Sequence, residues 1–139
     1  MARFTIRVEL LSKKDDIFEA LLEESSGGIY NDLHNAMEAE TFLRIIKDEI
    51  TEKLYNLPPA EYNYISDLDN VDQVTNRVEE VVKLVISDKI DMSYRILVTE
   101  SENRRWVNLE ESDRWLDFNQ YQMMEIKQIT KRIDKLLGD

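Results

Sequence analysis

Between Ala2 and Leu10 every second residue is apolar: Phe4, Ile6, Val8 and Leu10 hold one phase, and Arg3, Thr5, Arg7 and Glu9 hold the other. A period of two puts successive side chains on opposite faces of a strand, so one face must be buried and the other wet. The same alternation returns from Ser93 to Thr99, where Tyr94, Ile96 and Val98 oppose Arg95, Leu97 and Thr99. Between these two lie Phe42 to Asp48, apolar and β-branched, and Ala60 to Ile65, both read as strands. Pro58 and Pro59 limit ladder pairing near Leu57.

Helical spacing fills the gaps. From Asp15, the residues Ile17, Phe18, Leu21 and Leu22 fit a short helix, which Ser25-Ser26-Gly27-Gly28 interrupts before Ile29, Leu33, Ala36 and Met37 resume the period. Asp67 to Asn70 offer N-caps to a helix in which Val71, Val74, Val78, Val81, Val82 and Val85 recur every three or four residues. Valine is a mediocre helix former, so packing must hold that helix. Two strand–helix–strand units in series predict an α+β fold of the order βαββαβ, the ferredoxin-like arrangement. Its four-stranded antiparallel sheet carries both helices on one face and leaves the other open. After Asn108 the pattern changes to one helix, roughly Asp113 to Leu137, with Ile126, Ile129, Ile133 and Leu136 spaced as a short coiled-coil seam. The expected division is a domain over 1–110 and a C-terminal helix over 111–139.

At 139 residues a single core is the default. The absence of cysteine excludes disulfides, thiolate metal sites and cysteine nucleophiles, and suits a reducing cytoplasm. The N-terminus lacks a long apolar stretch and no segment approaches a membrane span, so a cytoplasmic location without membrane insertion is expected. A net charge of −11 repels nucleic acid and anionic membranes at long range. With His34 as its one histidine, the chain cannot build a multi-histidine zinc site, and no EF-hand, P-loop or GxGxxG pattern is present. No cofactor or metal is expected.

The strings MARFTIRVEL, LHNAMEAE, FLRIIKD, YNLPPAEYNY and ILVTESENRRW, in that order, resemble the GhoS-type antitoxins of type V toxin–antitoxin systems over about residues 1–110. LPPAEYNY and LVTES carry most of the resemblance. It implies a ferredoxin-like, Cas2-like protein that acts as an endoribonuclease on the messenger of a small membrane toxin. Against the family pattern, residues 12–28 look inserted, with the short helix inside them, and the helix from Glu111 looks added. In Cas2-like proteins a carboxylate near the end of the first strand can hold a divalent ion at a two-fold interface. Glu9 stands there, where Asp is usual.

Metal-free RNA cleavage needs a base, an acid and a cation for the phosphorane. His34, Arg7, Glu9 and Arg95 form the candidate catalytic set, with His34 the natural acid or base because its unperturbed pKa lies near neutrality. The plainer alternative for His34 is a helix residue at the edge of the core. Arg3, Arg7 and Arg95 fall on the polar phase of two neighbouring strands, so they predict a basic strip on the open sheet face. Arginine grips phosphate bidentately, and Tyr62 or Tyr64 could stack a base, as sheet-face RNA binders do. Arg44, Arg104 and Arg105, the last beside Trp106, complete the RNA-binding candidates. The alternatives are that the arginines pair with Glu9, Glu61 and Glu100, or that the open face is buried in a homodimer.

Two functions follow from these residues and the resemblance. One is an RNA-binding antitoxin with endoribonuclease activity. The other is a non-catalytic, acidic protein-interaction module that binds a partner through Ile126, Ile129, Ile133 and Leu136 or through the open sheet face. A small-ligand sensor ranks below both.

Overall fold

The computed structural model describes residues 2–14, 17–21, 28–115, 118–120, 130–131 and 133–137. The alternating N-terminal segment is the strand β1 (Ala2–Lys14), and it organises the fold. Phe4, Ile6, Val8 and Leu10 are fully buried, as the period of two demands. Along one edge β1 pairs antiparallel with β6 (Met92–Glu100), from Phe4 opposite Glu100 to Ser12 opposite Met92. Along the other edge it pairs first with β5 (Glu61–Ser66) and then, through Leu11 to Lys14, with β2 (Ile17–Leu21).

Between β5 and β2 that second edge has a gap. Val8 N–H still finds the Ala60 carbonyl at 2.9 Å, and the next amide on that edge, Leu10 N–H, donates instead to the Tyr30 hydroxyl at 3.1 Å. A buried amide without a partner would cost about 1–3 kcal/mol, and a side chain from the first helix removes that penalty.

Two helices cover the apolar face: α1 (Gly28–Ala39) and α2 (Val71–Val85). Tyr30, Leu33 and Met37 from α1 and Val74, Val78, Val81 and Val82 from α2 join the β1 side chains in one core. The valine-rich α2 also has a reciprocal capping box, in which Asn70 accepts from Gln73 N–H and Gln73 accepts from Asn70 N–H. The end of α1 closes with Phe42 N–H on the Met37 carbonyl and Thr41 N–H on that of Glu38, which places Thr41 at a left-handed φ of 69°. This is the hydrogen-bond pattern of a Schellman cap, at a position that glycine fills most easily. Pro58, Pro59, Ala60 and Glu61 form a tight turn into β5, with Glu61 N–H on the Pro58 carbonyl and Ala60 at φ 70°.

The α+β class is present, but the expected single ferredoxin-like sheet of order βαββαβ is not. In the predicted strand Phe42 to Asp48, backbone pairing with β5 is confined to a bridge between Leu43 and Asn63. Its regular part, β3 (Ile45–Lys47), turns away to pair with β4 (Leu54–Asn56), and β4 pairs with β7 (Glu111–Ser112). The result is a second, three-stranded sheet. The physical reason is the turn at 48–52, which folds the chain back as a hairpin and gives the short β3 a local partner. Leu43, Ile45, Leu54 and Phe118 form a small core of their own there. The short helix expected at Ile17 to Leu22 is replaced over Ile17–Leu21 by β2, whose backbone continues the β1 ladder after a register shift between Ser12 and Lys13.

Helical backbone is present at 115, 118–120, 130–131 and 133–136. Of the proposed seam, Ile126 and Ile129 lie outside the described residues, Ile133 is partly exposed and Leu136 is exposed. Arg114 ties the start of this segment to α1 through Glu38 at 3.1 Å. Among the described residues, no helix is long and apolar enough to cross a membrane.

Candidate functional site

Register assigns every strand residue to a face. Because opposed residues in an antiparallel pair share a face, Arg3, Thr5, Arg7 and Glu9 stand with Ile65, Asn63 and Glu61 of β5 and with Thr99, Leu97 and Arg95 of β6. This is the face away from α1 and α2. Leu97 is largely exposed on it.

The basic strip does form there, but as an ion-pair cluster. Glu9, mostly shielded, lies between Arg7 at 3.3 Å and Arg95 at 3.6 Å, while both guanidiniums remain well exposed. Arg95 is directly opposite Glu9 in the ladder. Glu61, opposite Arg7 in the other ladder, stands on the same face, so the two guanidiniums there are balanced by two carboxylates.

His34 does not join this cluster. It projects from α1 into the core on the other side of the sheet, is 9% exposed, and its Nδ1 lies 2.6 Å from the Tyr62 hydroxyl. Tyr62 and Tyr64 are also turned inward: they oppose Ile6 and Phe4, and both are buried. Neither ring can stack a base on the open face. Tyr64 instead donates to Asp69 at 2.7 Å and receives Arg77 at 2.8 Å, and the Arg77 guanidinium lies over its ring and over Phe42. Burial, followed by the Asp69 hydrogen bond, raises the Tyr64 pKa above its usual value. Arg44 is half-buried between the Leu43 bridge and β3, and its carbonyl accepts from Leu57 N–H at 2.8 Å.

Three of the proposed RNA-binding residues do meet. Arg3, Arg104 and Arg105 line a cleft of about 270 Å³ at the β1 N-terminal end of the open face. One wall is the turn after β3, with Asp48, Glu49 and Ile50, and the other is the segment 102–106, ending in Trp106. Arg3 ties the walls together by pairing with Glu49 at 2.9 Å and donating to the Glu102 carbonyl at 3.4 Å.

Arg104 differs from the other two. Its guanidinium is half-buried and donates to Asn63 Oδ1 at 2.7 Å and, more weakly, to Thr5 Oγ1 at 3.5 Å. Both partners are neutral, and among the described residues no carboxylate lies within ion-pair distance of it. Burial first, and then the nearby Arg3 charge, work against its protonated form, while Glu49 favours it. A partly desolvated cation held by neutral groups retains most of its capacity to attract an anion.

Asp48 organises the opposite wall. Its Oδ1 accepts from Ile50 N–H at 2.9 Å and more weakly from Thr51 N–H. These bonds, led by that of Ile50, lower its pKa, and Arg105 adds a smaller pull in the same direction. Trp106 is steadied by Tyr55, with ring centroids 5.7 Å apart.

Asn63, Thr5 and the 48–50 turn were not legible as site residues. The available signal was the polar Asn63 between Tyr62 and Tyr64, which marks the phase of β5 that leaves the core. Among the described residues, no group of three or more histidine or acidic side chains gathers as a metal site. No protein-family model, curated protein or solved structure matches the chain.

Proposed function

We propose that this protein binds RNA on its open sheet face, from the Arg3–Arg104–Arg105 cleft to the Arg7–Glu9–Arg95 cluster. As the resemblance to GhoS-type antitoxins implies, the RNA would be a toxin messenger. The observation that carries the reading is Arg104, a half-buried guanidinium whose hydrogen-bond partners among the described residues are neutral, opening onto a cleft shared with two further arginines.

Thr5 and Glu9 are four residues apart on β1, roughly 13 Å along the strand, so the cleft and the cluster can contact one short stretch of RNA. The overall charge of −11 opposes this binding, which therefore depends on local contacts. Cleavage, the other activity the resemblance implies, would have to use Glu9 with Arg7 and Arg95. His34 lies on the far side of the sheet.

Fluorescence anisotropy with labelled single-stranded RNA at low and moderate salt tests the reading. Arg104→Gln and Arg105→Ala should each weaken binding about tenfold, which corresponds to one lost charged contact of about 1.4 kcal/mol. Wild-type affinity in both folded variants would refute the assignment.

A further inference from the structure

The cleft has a composition that an RNA backbone alone does not require. A bare phosphate needs cations and amides, whereas this cleft also offers the indole of Trp106 and the exposed side chain of Ile50, with Asp48 and Glu49 in one wall and Glu102 in the other. Resting on the RNA-binding reading, we infer that the cleft is a single-nucleotide pocket. Its phosphate is held by Arg104 and Arg105, and its base lies against Trp106.

Three features support this assignment. The volume of about 270 Å³ lies near the lower end of small-ligand pockets, roughly 300 Å³, so it suits one nucleotide and excludes a folded RNA. The arrangement is braced in advance, because Arg3 bonds to both walls, Asn63 holds Arg104 and Tyr55 packs on Trp106. Little ordering is then left to oppose binding. Finally, the Asp48 carboxylate accepts from the Ile50 and Thr51 amides and from the Thr51 hydroxyl, and its remaining lone pairs can accept from a base amino group. A base in contact with indole must be unpaired, so the pocket selects single-stranded over duplex RNA.

The test uses the full chain carrying Trp115→Phe, which leaves Trp106 as its one tryptophan. Indole emission is followed during titration with the four ribonucleoside 5′-monophosphates, the unphosphorylated nucleosides and inorganic phosphate, and a single-stranded RNA is titrated in parallel. The monophosphates should quench Trp106 saturably, at least ten times more tightly than either nucleosides or phosphate. Arg104→Gln should weaken them tenfold or more. If that variant does not fold, Arg105→Ala, at an exposed side chain, should show a loss of at least threefold. Phosphate binding as tightly as the monophosphates would overturn the pocket in favour of a bare anion site. RNA binding without monophosphate binding would overturn it while leaving the RNA-binding reading intact. Monophosphate binding without RNA binding would support the pocket and overturn that reading.

Discussion

Arg104 donates to Asn63 Oδ1 at 2.7 Å, which joins the loop after β6 to the middle of β5 across 41 residues of sequence. The same Asn63 donates through Nδ2 to the Ile45 carbonyl at 3.3 Å, so one buried amide connects the main sheet, the second sheet and the cleft. Asn63→Leu removes both bonds and leaves a buried carbonyl and a half-buried guanidinium without this partner. The expected loss is about 2–4 kcal/mol, measured by urea unfolding. A loss under about 0.5 kcal/mol would mean that the amide is not a structural link.

His34 and Tyr62 form a buried pair, with 2.6 Å between Nδ1 and the hydroxyl. Tyr62→Phe should destabilise the fold by about 1–2 kcal/mol while leaving RNA affinity unchanged, since both side chains face away from the open sheet face. An RNA-binding defect in a stable Tyr62→Phe protein would argue against the two-sided arrangement.

Thr41 holds a φ of 69°, which a β-branched residue adopts at a cost of about 1–2 kcal/mol. Its hydroxyl recovers part of that by donating to the Glu40 carbonyl. Thr41→Gly should therefore raise stability by about 0.5–1 kcal/mol, visible as a higher melting temperature. A lower melting temperature would show that the buried threonine packs better than its backbone is strained.

Glu9 neutralises part of the charge of Arg7 and Arg95. If RNA crosses this face, Glu9→Gln should tighten binding about threefold to tenfold at low salt and steepen the salt dependence. Unchanged affinity would confine RNA contact to the cleft.

Tyr64 sets an alkaline limit. Its pKa is raised above the ordinary 10.0 by burial and by Asp69, so the folded state favours the protonated phenol. The corresponding stabilisation is fully present below pH 10 and is lost as pH rises through the raised folded value. Between about pH 9 and 11 the unfolding free energy of the wild type should fall more steeply than that of Tyr64→Phe. Parallel slopes would show that Tyr64 titrates alike in both states.

The site was legible in part, and for a local reason. Arg3, Arg7 and Arg95 could be assigned to one face because alternation along β1 and β6 is a property of neighbouring residues. Tyr62 and Tyr64 were expected on that face, and register reverses this: Tyr62 opposite Ile6 and Tyr64 opposite Phe4 put the rings in the core and Asn63 on the opposite face, buried beneath Arg104. No spacing in the chain shows Arg104 meeting Thr5, 99 residues away.

By itself the sequence determined the buried and wet faces of β1 and β6, the valine stripe of α2 and its Asn70 cap, since each follows from periodicity or from a contact three residues long. Only the tertiary structure decided that β3 joins β4 and β7, that His34 lies behind the sheet, and that Arg104 is held by neutral partners at the head of a cleft. Strand pairing and side-chain partnership depend on which distant segments compete for the same edge, and that competition is resolved by packing the whole chain.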